Sequence, residues 1–317
     1  MLIDKPYLSV NKQITKLKSQ GLSVRRTSHV IDVLRTHSYY SFVNGYCDLL
    51  VKSKSPRVFK SGASFTELEA IYNFDTCFRR FLFPQILYIE EKIKAKCISE
   101  YCGEKVSGSY VNNMNKYLDI NSYDTLNLVK TNAATNLISD FNKAINSNIN
   151  NKNAAFVHAQ NNYGYVPFWV LSTNLSFGQI SKFYECLKYD IREKIAKIYK
   201  LSEKDLRTAL KILNNIRNCC AHNNRVYIAS IPPIFSPTIG LSGYTINVDK
   251  PCDHKFGSVL FVLKFLLSKS KFDKLIVELG KELTILKRKL KTIRIQDVLL
   301  KMGITPNMVK NFNILIK

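Results

Sequence analysis

Residues 66–102 read TELEAIYNFDTCFRRFLFPQILYIEEKIKAKCISEYC, and their apolar side chains recur at the three- and four-residue spacing of an α-helix. Thr66 and Glu69 have the spacing of a capping box, in which two side chains satisfy free backbone amides at a helix start. We therefore predict one long helix from this box to about Cys102, bent at Pro84 because proline lacks a backbone donor. Its outer face is predicted to carry basic residues: Arg79, Arg80, Lys92, Lys94 and Lys96.

Helical patterns also cover most of the remaining chain, so the predicted fold class is mainly α. They lie around residues 10–20, 29–34, 122–146 and 177–187, in the stretch that opens at Ser202, and in the last sixty residues. The Asn-rich stretch 146–162 is predicted to form a long surface loop, with a solvated helix as the less favoured alternative. Residues 230–256 are rich in proline and poor in charge, and we predict a connector or a small β-hairpin there, with a strand at 244–248.

These patterns divide the chain into three predicted segments. Residues 1–60 form an N-terminal helical extension, residues 61–229 a helical core, and residues 230–317 a connector with a basic C-terminal helical region. The alternative is that all three form one compact unit.

The charge balance predicts a polyanionic partner. Lys and Arg number 47 against 24 Asp and Glu, which gives a net charge of +23 with histidine neutral. An AT-rich genome explains part of that excess. Nucleic acid fits better than an anionic membrane, because the basic residues are spread along the chain rather than grouped beside an apolar anchor. The densest basic cluster is a candidate RNA-binding site and equally a solvated helix face: Lys287, Arg288, Lys289 and Lys291.

Other classes of protein have little support. The first residues lack an apolar core long enough for a secretory signal, and eight cysteines are too few for a disulfide scaffold, so we expect a cytoplasmic protein with free thiols. Cys252 and His254 have zinc-ligand chemistry but not the paired spacing of a zinc site. Phosphate-binding glycine motifs are missing as well, so we expect neither metal nor cofactor.

The stretch Arg217-Asn-Cys-Cys-Ala-His222 is the strongest candidate for chemistry. Arg217 falls within the apolar stripe of its helix, where a charge is costly unless it is paired or lines a polar cleft. At about 100° per residue, His222 lies roughly 140° from Arg217. Two arrangements would bring the two side chains together. Either the helix ends near residues 223–224, so that His222 can turn towards Arg217, or a second copy of the motif completes the site.

This residue pair suits RNA cleavage. An imidazole can move protons to and from the ribose 2′-hydroxyl and the leaving oxygen. A guanidinium can stabilise the charge that develops on the phosphate. The Arg-x4-His spacing alone is a weak pattern, and the competing interpretation is a structural arginine paired with a carboxylate and a histidine at a helix end.

The chain as a whole resembles the Abi-type abortive-infection proteins of the AbiD/AbiF group, which carry a HEPN ribonuclease domain. The resemblance rests on several motifs in order: Lys5-Pro-Tyr-Leu-Ser-Val with Gln13 and Gly21, Tyr39-Tyr40 through Gly45-Tyr46, the helix Phe81 to Tyr101, Pro167-Phe-Trp169, Ser176-Phe-Gly178-Gln179, Arg217-Asn-x-x-x-His222-x-x-Arg225, and Leu300-Lys-Met-Gly303. One departure is Ser41, where the group usually carries a basic residue.

The resemblance implies a HEPN-like helical bundle in the 61–229 segment, with helical extensions on both sides. It implies a metal-independent endoribonuclease acting as a toxin in phage defence, a homodimer with a paired active site, and association with a small noncoding RNA. It assigns Arg217 and His222 as the catalytic pair and Asn218 as an orienting residue. Arg225 is assigned as a phosphate contact, with a salt bridge as an equal alternative. The alternative is an RNA-binding scaffold in which Arg217 and His222 are structural. We predict that Trp169 and Phe177 pack in the core rather than stack on bases.

Overall fold

The computed structural model describes residues 7–103, 105–106, 109–110, 116–231, 238–241, 244–247 and 254–317. Within these ranges the chain is mainly helical, which confirms the predicted fold class. The helices are α1 (Val10–Ser19), α2 (Thr27–Thr36), α3 (Phe65–Cys102), α4 (Leu128–Asn150), α5 (Ala154–Tyr163), α6 (Phe168–Ser172), α7 (Phe177–Cys186), α8 (Tyr189–Ile198), α9 (Glu203–Ala221), α10 (Phe256–Leu266), α11 (Lys269–Lys289), α12 (Ile295–Met302) and α13 (Pro306–Asn311). Short strands pair in antiparallel hairpins: β1 (Val51–Lys54) with β2 (Arg57–Phe59), β3 (Lys105–Val106) with β4 (Ser109–Tyr110), and β5 (Thr238–Leu241) with β6 (Tyr244–Asn247).

Helix α3 is the central element of the bundle. It runs for 38 residues with Pro84 inside it, as predicted, and it packs against α6, α7, α8, α9 and α11. The predicted apolar stripe is buried along its whole length: Leu68, Ile71, Phe78, Leu82, Ile86, Ile89 and Ile93. Each such side chain contributes about 1.5–3 kcal/mol by leaving water, which explains why the helix continues past the proline.

The start of α3 differs from the prediction by two residues. The N-cap is Ser64 rather than Thr66, and the Ser64 hydroxyl accepts a hydrogen bond from the Glu67 amide at 3.3 Å. The buried Glu67 carboxylate accepts backbone hydrogen bonds from Lys291 and Thr292, each at 2.7 Å. Ser64 and Glu67 have the same spacing as Thr66 and Glu69, so the pattern alone cannot select between the two registers.

The Asn-rich stretch is helical, so the predicted loop at 146–162 is wrong. Helix α4 continues to Asn150 and α5 begins at Ala154. Asn153 caps α5 by accepting from the Ala155 amide at 3.2 Å. Phe156 and Ala159 are buried one turn apart on α5. Burial of this apolar face outweighs the weak helix propensity of asparagine.

The predicted hairpin within residues 230–256 is confirmed by β5 and β6. The predicted strand ends at Asn247 in the structure, and residue 248 lies outside the described residues, as does Cys252. The hairpin of β1 and β2 was not predicted, because the sequence analysis assigned no strand to these residues. Its turn falls at Ser55-Pro56.

A single contiguous cluster of buried apolar side chains extends from Ile14 to Ile314 and includes members of all three predicted segments. The boundaries at residues 60 and 229 therefore stay predictions. Phe177 is buried, as predicted, whereas the prediction for Trp169 is wrong because 42% of this residue is exposed.

Helix α10 contains the most apolar stretch of the chain. It has 11 residues, and Val259, Leu260 and Leu263 are buried in the bundle. Within the described ranges, no helix combines the length and the apolar character needed to cross a membrane.

Candidate functional site at the end of helix α9

Helix α9 carries the Arg217/His222 motif. It begins where predicted, with the Ser202 hydroxyl accepting from the Asp205 amide at 3.1 Å. Leu206, Leu210 and Leu213 are fully buried and fix the rotation of the helix about its axis. This rotation determines where the polar side chains near the C-terminal end of α9 point.

Helix α9 ends through a Schellman motif that places His222 at the surface. Asn223 adopts a left-handed backbone with φ of 53°. Its amide donates to the Cys220 carbonyl at 3.3 Å, and the Asn224 amide donates to the Cys219 carbonyl at 2.8 Å. Asparagine is one of the few residues besides glycine that readily adopts this conformation. The His222 side chain is exposed at the helix end.

The buried carboxylate of Asp75 holds the segment that follows His222. Its Oδ1 atom accepts from the amides of Val226 at 3.1 Å and Tyr227 at 2.8 Å, and its Oδ2 atom accepts from the Tyr46 hydroxyl at 2.7 Å. Burial raises the pKa of Asp75, while the neighbouring Arg79 and the donated hydrogen bonds act in the opposite direction. Asp75 therefore ties the segment after α9 to the N-terminal third of α3.

Two arginines flank the same segment. Arg79 pairs with Asp75 and donates from Nη1 to the Asn224 carbonyl at 3.2 Å. Only 5% of this residue is exposed, so the prediction that it lies on an outer basic face is wrong. Arg225 donates from Nη1 to the Gly45 carbonyl at 2.6 Å.

A cleft of about 750 Å³ opens between these elements. Its described lining contains no Asp or Glu. The buried Asp75 carboxylate balances the charge of Arg79, so the Arg225 guanidinium, which donates to a backbone carbonyl, is the source of positive charge in this lining. Such a cleft suits an anionic ligand. Its residues come from the end of α2, the π-helical turn Tyr40–Asn44, α3 and the end of α9: Thr36, His37, Ser38, Tyr40, Ser41, Asn44, Gly45, Tyr46, Tyr72, Thr76, Arg79, His222, Asn223, Asn224 and Arg225.

Arg217 and Asn218 do not line this cleft. The Nε atom of Arg217 lies 3.6 Å from Oε2 of Glu90 on α3, and 30% of the Arg217 side chain is exposed. The His222 amide still donates to the Asn218 carbonyl at 3.0 Å, so the helical turn is intact between the two catalytic candidates. A single chain therefore keeps Arg217 and His222 on different sides of α9. Of the two alternatives that the sequence left open, the helix does end at this point, with His222 as its C-cap, but Arg217 lies outside the cleft that His222 lines.

The basic cluster lies away from the cleft. Lys287, Arg288 and Lys289 form the last turn of α11, and Lys291 follows it. All four side chains are exposed, and none forms an ion pair with a described residue. The Lys291 amide donates a hydrogen bond to the Glu67 carboxylate. At a rise of 1.5 Å per residue, Glu67 lies roughly 14–18 Å along α3 from the Thr76–Arg79 turn that lines the cleft.

Sequence reasoning missed His37, which lines the cleft together with His222. Its Nδ1 atom lies 3.2 Å from the Tyr72 hydroxyl, and its ring stacks on Phe42 with centroids 5.8 Å apart. The one signal in the sequence was its position directly before the aromatic Tyr39–Tyr46 stretch. A lone histidine after a short helix carries little information by itself.

The cysteines next to His222 carry free thiols, as predicted. Burial raises the pKa of Cys220 to about 12, so this thiol stays protonated and is a poor metal ligand. Within the described residues, no three His, Cys, Asp or Glu side chains come together as a metal site.

Comparison with known proteins supports the resemblance found in the sequence. Residues 32–228 match the family model described as Abi-like protein. The chain belongs to the Abi-like protein family. The match covers the Asp75 contacts, both cleft arginines and the Arg217/His222 motif, so the candidate site lies within the Abi-like region. Family membership suggests a part in abortive-infection defence against phage. No curated protein and no solved structure matches this Abi-like chain.

Proposed function

We propose that this Abi-like protein is a metal-independent endoribonuclease with a HEPN-like core, which acts in abortive infection and is associated with a small noncoding RNA. The observation that carries the proposal is the position of His222. It stands at the exposed end of α9 in a cleft that holds Arg79 and Arg225 and whose described lining has no carboxylate. An exposed imidazole in the same cleft as the Arg225 guanidinium suits acid–base chemistry on a phosphodiester.

The proposed reaction is an internal transfer within the RNA. An imidazole takes the proton of the ribose 2′-hydroxyl, the 2′-oxygen attacks phosphorus, and the bond from phosphorus to the 5′-oxygen breaks. The protonated imidazole then gives a proton to the 5′-oxygen, leaving a 2′,3′-cyclic phosphate and a 5′-hydroxyl. Because RNA supplies the nucleophile, no metal-bound water is needed and DNA is not cut. Arg217 stabilises the charged phosphate and Asn218 orients it.

The proposed active site is completed by a second copy of the chain. Arg217 and His222 lie on different sides of α9, and Arg217 lies outside the cleft that His222 lines. A homodimer in which α9 of one protomer packs near α9 of its partner would bring Arg217 of one copy to His222 of the other. This arrangement makes dimerisation part of the mechanism.

The second candidate function is a non-catalytic RNA-binding scaffold. The proximity of Arg217 to Glu90 favours it, because a paired arginine at a helix surface can be purely structural. The net charge of +23 supports both functions equally.

The test uses His222→Ala with His158→Ala as its matched control, since His158 is also exposed but lies on α5. We expect the wild type and His158→Ala to cut a labelled single-stranded RNA in EDTA and to leave its 2′-deoxy analogue intact. His222→Ala is expected to bind the RNA with unchanged affinity and not to cut it. Equal cleavage by the wild type and His222→Ala would contradict the proposed catalytic role.

The association with a noncoding RNA has its own test. The protein is purified without nuclease treatment, and bound RNA is sequenced from the wild type and from His222→Ala. We expect one defined small RNA in both preparations. Heterogeneous fragments, or no RNA, would contradict the association.

A further inference from the structure

A second cavity, of about 860 Å³, adjoins the His222 cleft. It lies between α1, α2, the π-helical turn and the hairpin of β1 and β2. The cavity and the cleft share four lining residues: His37, Ser38, Tyr40 and Asn44. The two spaces therefore form one continuous surface that a chain-like ligand can follow.

The second cavity is strongly basic. Lys16, Arg35, Lys54 and Arg57 line it, and its described lining contains neither Asp nor Glu. Within the described part of the chain, none of these four cations forms an ion pair. Arg57 donates from Nη2 to the amide oxygen of Asn44 at 2.8 Å. Unpaired cations around a cavity favour a ligand with phosphate groups.

Aromatic rings stand beside these cations. Tyr40 is 74% exposed at the boundary between the cavity and the cleft, and Tyr7 is 87% exposed at the rim of the cavity. An exposed tyrosine next to arginine and lysine is the combination that binds unpaired nucleotides, because the ring stacks on a base while the cations hold the backbone.

Buried acceptor atoms in the same wall lack donors. Gln13 is only 7% exposed, and its Nε2 atom donates to the Leu8 carbonyl at 2.8 Å. The Oε1 atom of Gln13 and the Oε1 atom of Gln20 are buried without a hydrogen-bond donor among the described residues. Both residues line the cavity. A ligand that presents an amino group would satisfy such acceptors.

We propose that this cavity binds one unpaired nucleotide of the RNA, next to the site of cleavage. Its base stacks on Tyr40 and donates from an exocyclic amino group to Gln13, and its phosphates contact Arg35 and Arg57. The inference rests on the proposed RNA function and adds a base preference at one nucleotide. The exocyclic amino group of cytosine, adenine or guanine offers two N–H donors to the Gln13 and Gln20 acceptors, whereas uracil offers only its N3–H, so the cavity selects against uracil.

The test measures binding in the His222→Ala background, so that the RNA stays intact. The probes are a fluorescent oligouridine and the same oligomer with one central cytidine. We expect the cytidine probe to bind about threefold to tenfold more tightly. Gln13→Met is expected to remove this difference, and Tyr40→Ala to weaken both probes by about tenfold. The control is the double variant Lys194→Gln/Lys204→Gln, which removes two exposed cations on α8 and α9. It is expected to change the affinity for either probe less than twofold.

The outcomes separate this inference from the proposed function. Equal binding of the two probes, with no effect of Gln13→Met or Tyr40→Ala, would overturn the nucleotide site while leaving RNA binding in place. Failure of the parent protein to bind either probe would overturn the proposed function as well. Tight binding of free cytidine monophosphate without any effect of the variants on RNA would assign the cavity to a free nucleotide and overturn the RNA site. Thermal melting checks that Gln13→Met is folded. If Gln13→Met is unstable, the surface variant Tyr40→Ala tests the nucleotide site instead.

Discussion

At the scale of single residues, His222 and Arg217 are presented differently by the same helix. His222 follows the last turn of α9 and faces solvent, whereas Arg217 lies one turn earlier and is partly covered beside Glu90. The Arg217 Nε and Glu90 Oε2 atoms are 3.6 Å apart, which is too long for a hydrogen bond, and both atoms are buried without another partner among the described residues. The rest of the Arg217 side chain is partly exposed, at 30%.

Arg217→Ala therefore separates the catalytic interpretation from the structural one. We expect the free energy of unfolding to fall by about 1–3 kcal/mol, because the buried Glu90 carboxylate loses its counter-charge. RNA cleavage is expected to fall by about 100-fold or more, because the charge on the reacting phosphate loses its guanidinium. Urea denaturation and a cleavage assay measure the two effects.

The control is Lys211→Ala, which lies on α9 like Arg217. It removes a partly exposed ion pair with Glu185 of α7 and should leave cleavage intact. A loss of stability of several kcal/mol in Arg217→Ala, with cleavage that follows the folded fraction, would instead support the scaffold.

At the scale of elements, Asp75 fixes the distance between α3 and the segment that follows α9. It is fully buried and accepts from two backbone amides that lie about 150 residues further along the chain. The sequence predicted both helices but not this link, because a single aspartate within an apolar stripe gives no indication of its partners.

Asp75→Asn is expected to destabilise the protein by about 3–5 kcal/mol, because it leaves Arg79 buried without its counter-charge. Cleavage by the remaining folded protein should also fall, since the segment after His222 loses its anchor. Chemical denaturation measures the first effect. Asp140→Asn is the control, because its ion pairs are long and exposed, at 3.8 and 3.9 Å. Equal stability of the two variants would contradict the role of Asp75.

The elements that the sequence predicted correctly are those with a strong local pattern. Helix α3 has a long apolar stripe, and α9 has a Ser202 cap followed by leucines at helical spacing. The failures have other causes. The cap of α3 was ambiguous between two equal spacings. The Asn-rich stretch became helical because Phe156 and Ala159 are buried where α5 packs against α4 and α6. The Arg217/His222 motif was found from sequence, whereas the lining of the cleft, including His37 and Arg79, depends on long-range packing.

At the scale of the whole molecule, ten of the 47 Lys and Arg residues lie in three regions: two in the His222 cleft, four in the adjoining cavity and four in the cluster at 287–291. The cluster is the most distant of the three from His222 along α3. Whether it contacts RNA or is only a solvated helix face is measurable through the salt dependence of binding.

Changing Lys287, Arg288, Lys289 and Lys291 to glutamine is expected to reduce the slope of log Kd against log salt concentration by up to about three. Each single-strand phosphate that the protein no longer neutralises lowers that slope by roughly 0.7. Binding is measured by fluorescence polarisation over a salt series. An unchanged slope would contradict RNA binding by the cluster and assign these residues to a solvated face.

The central claim is that Arg217 of one copy works with His222 of another. Arg217→Ala and His222→Ala are each expected to be inactive. A heterodimer of the two variants has one site that lacks both residues and one site that keeps both. The decisive measurement is the cleavage rate of co-expressed Arg217→Ala and His222→Ala chains, purified through two different tags so that only heterodimers remain. The account predicts about half the activity of the wild-type dimer, and a heterodimer as inactive as either single variant would contradict it.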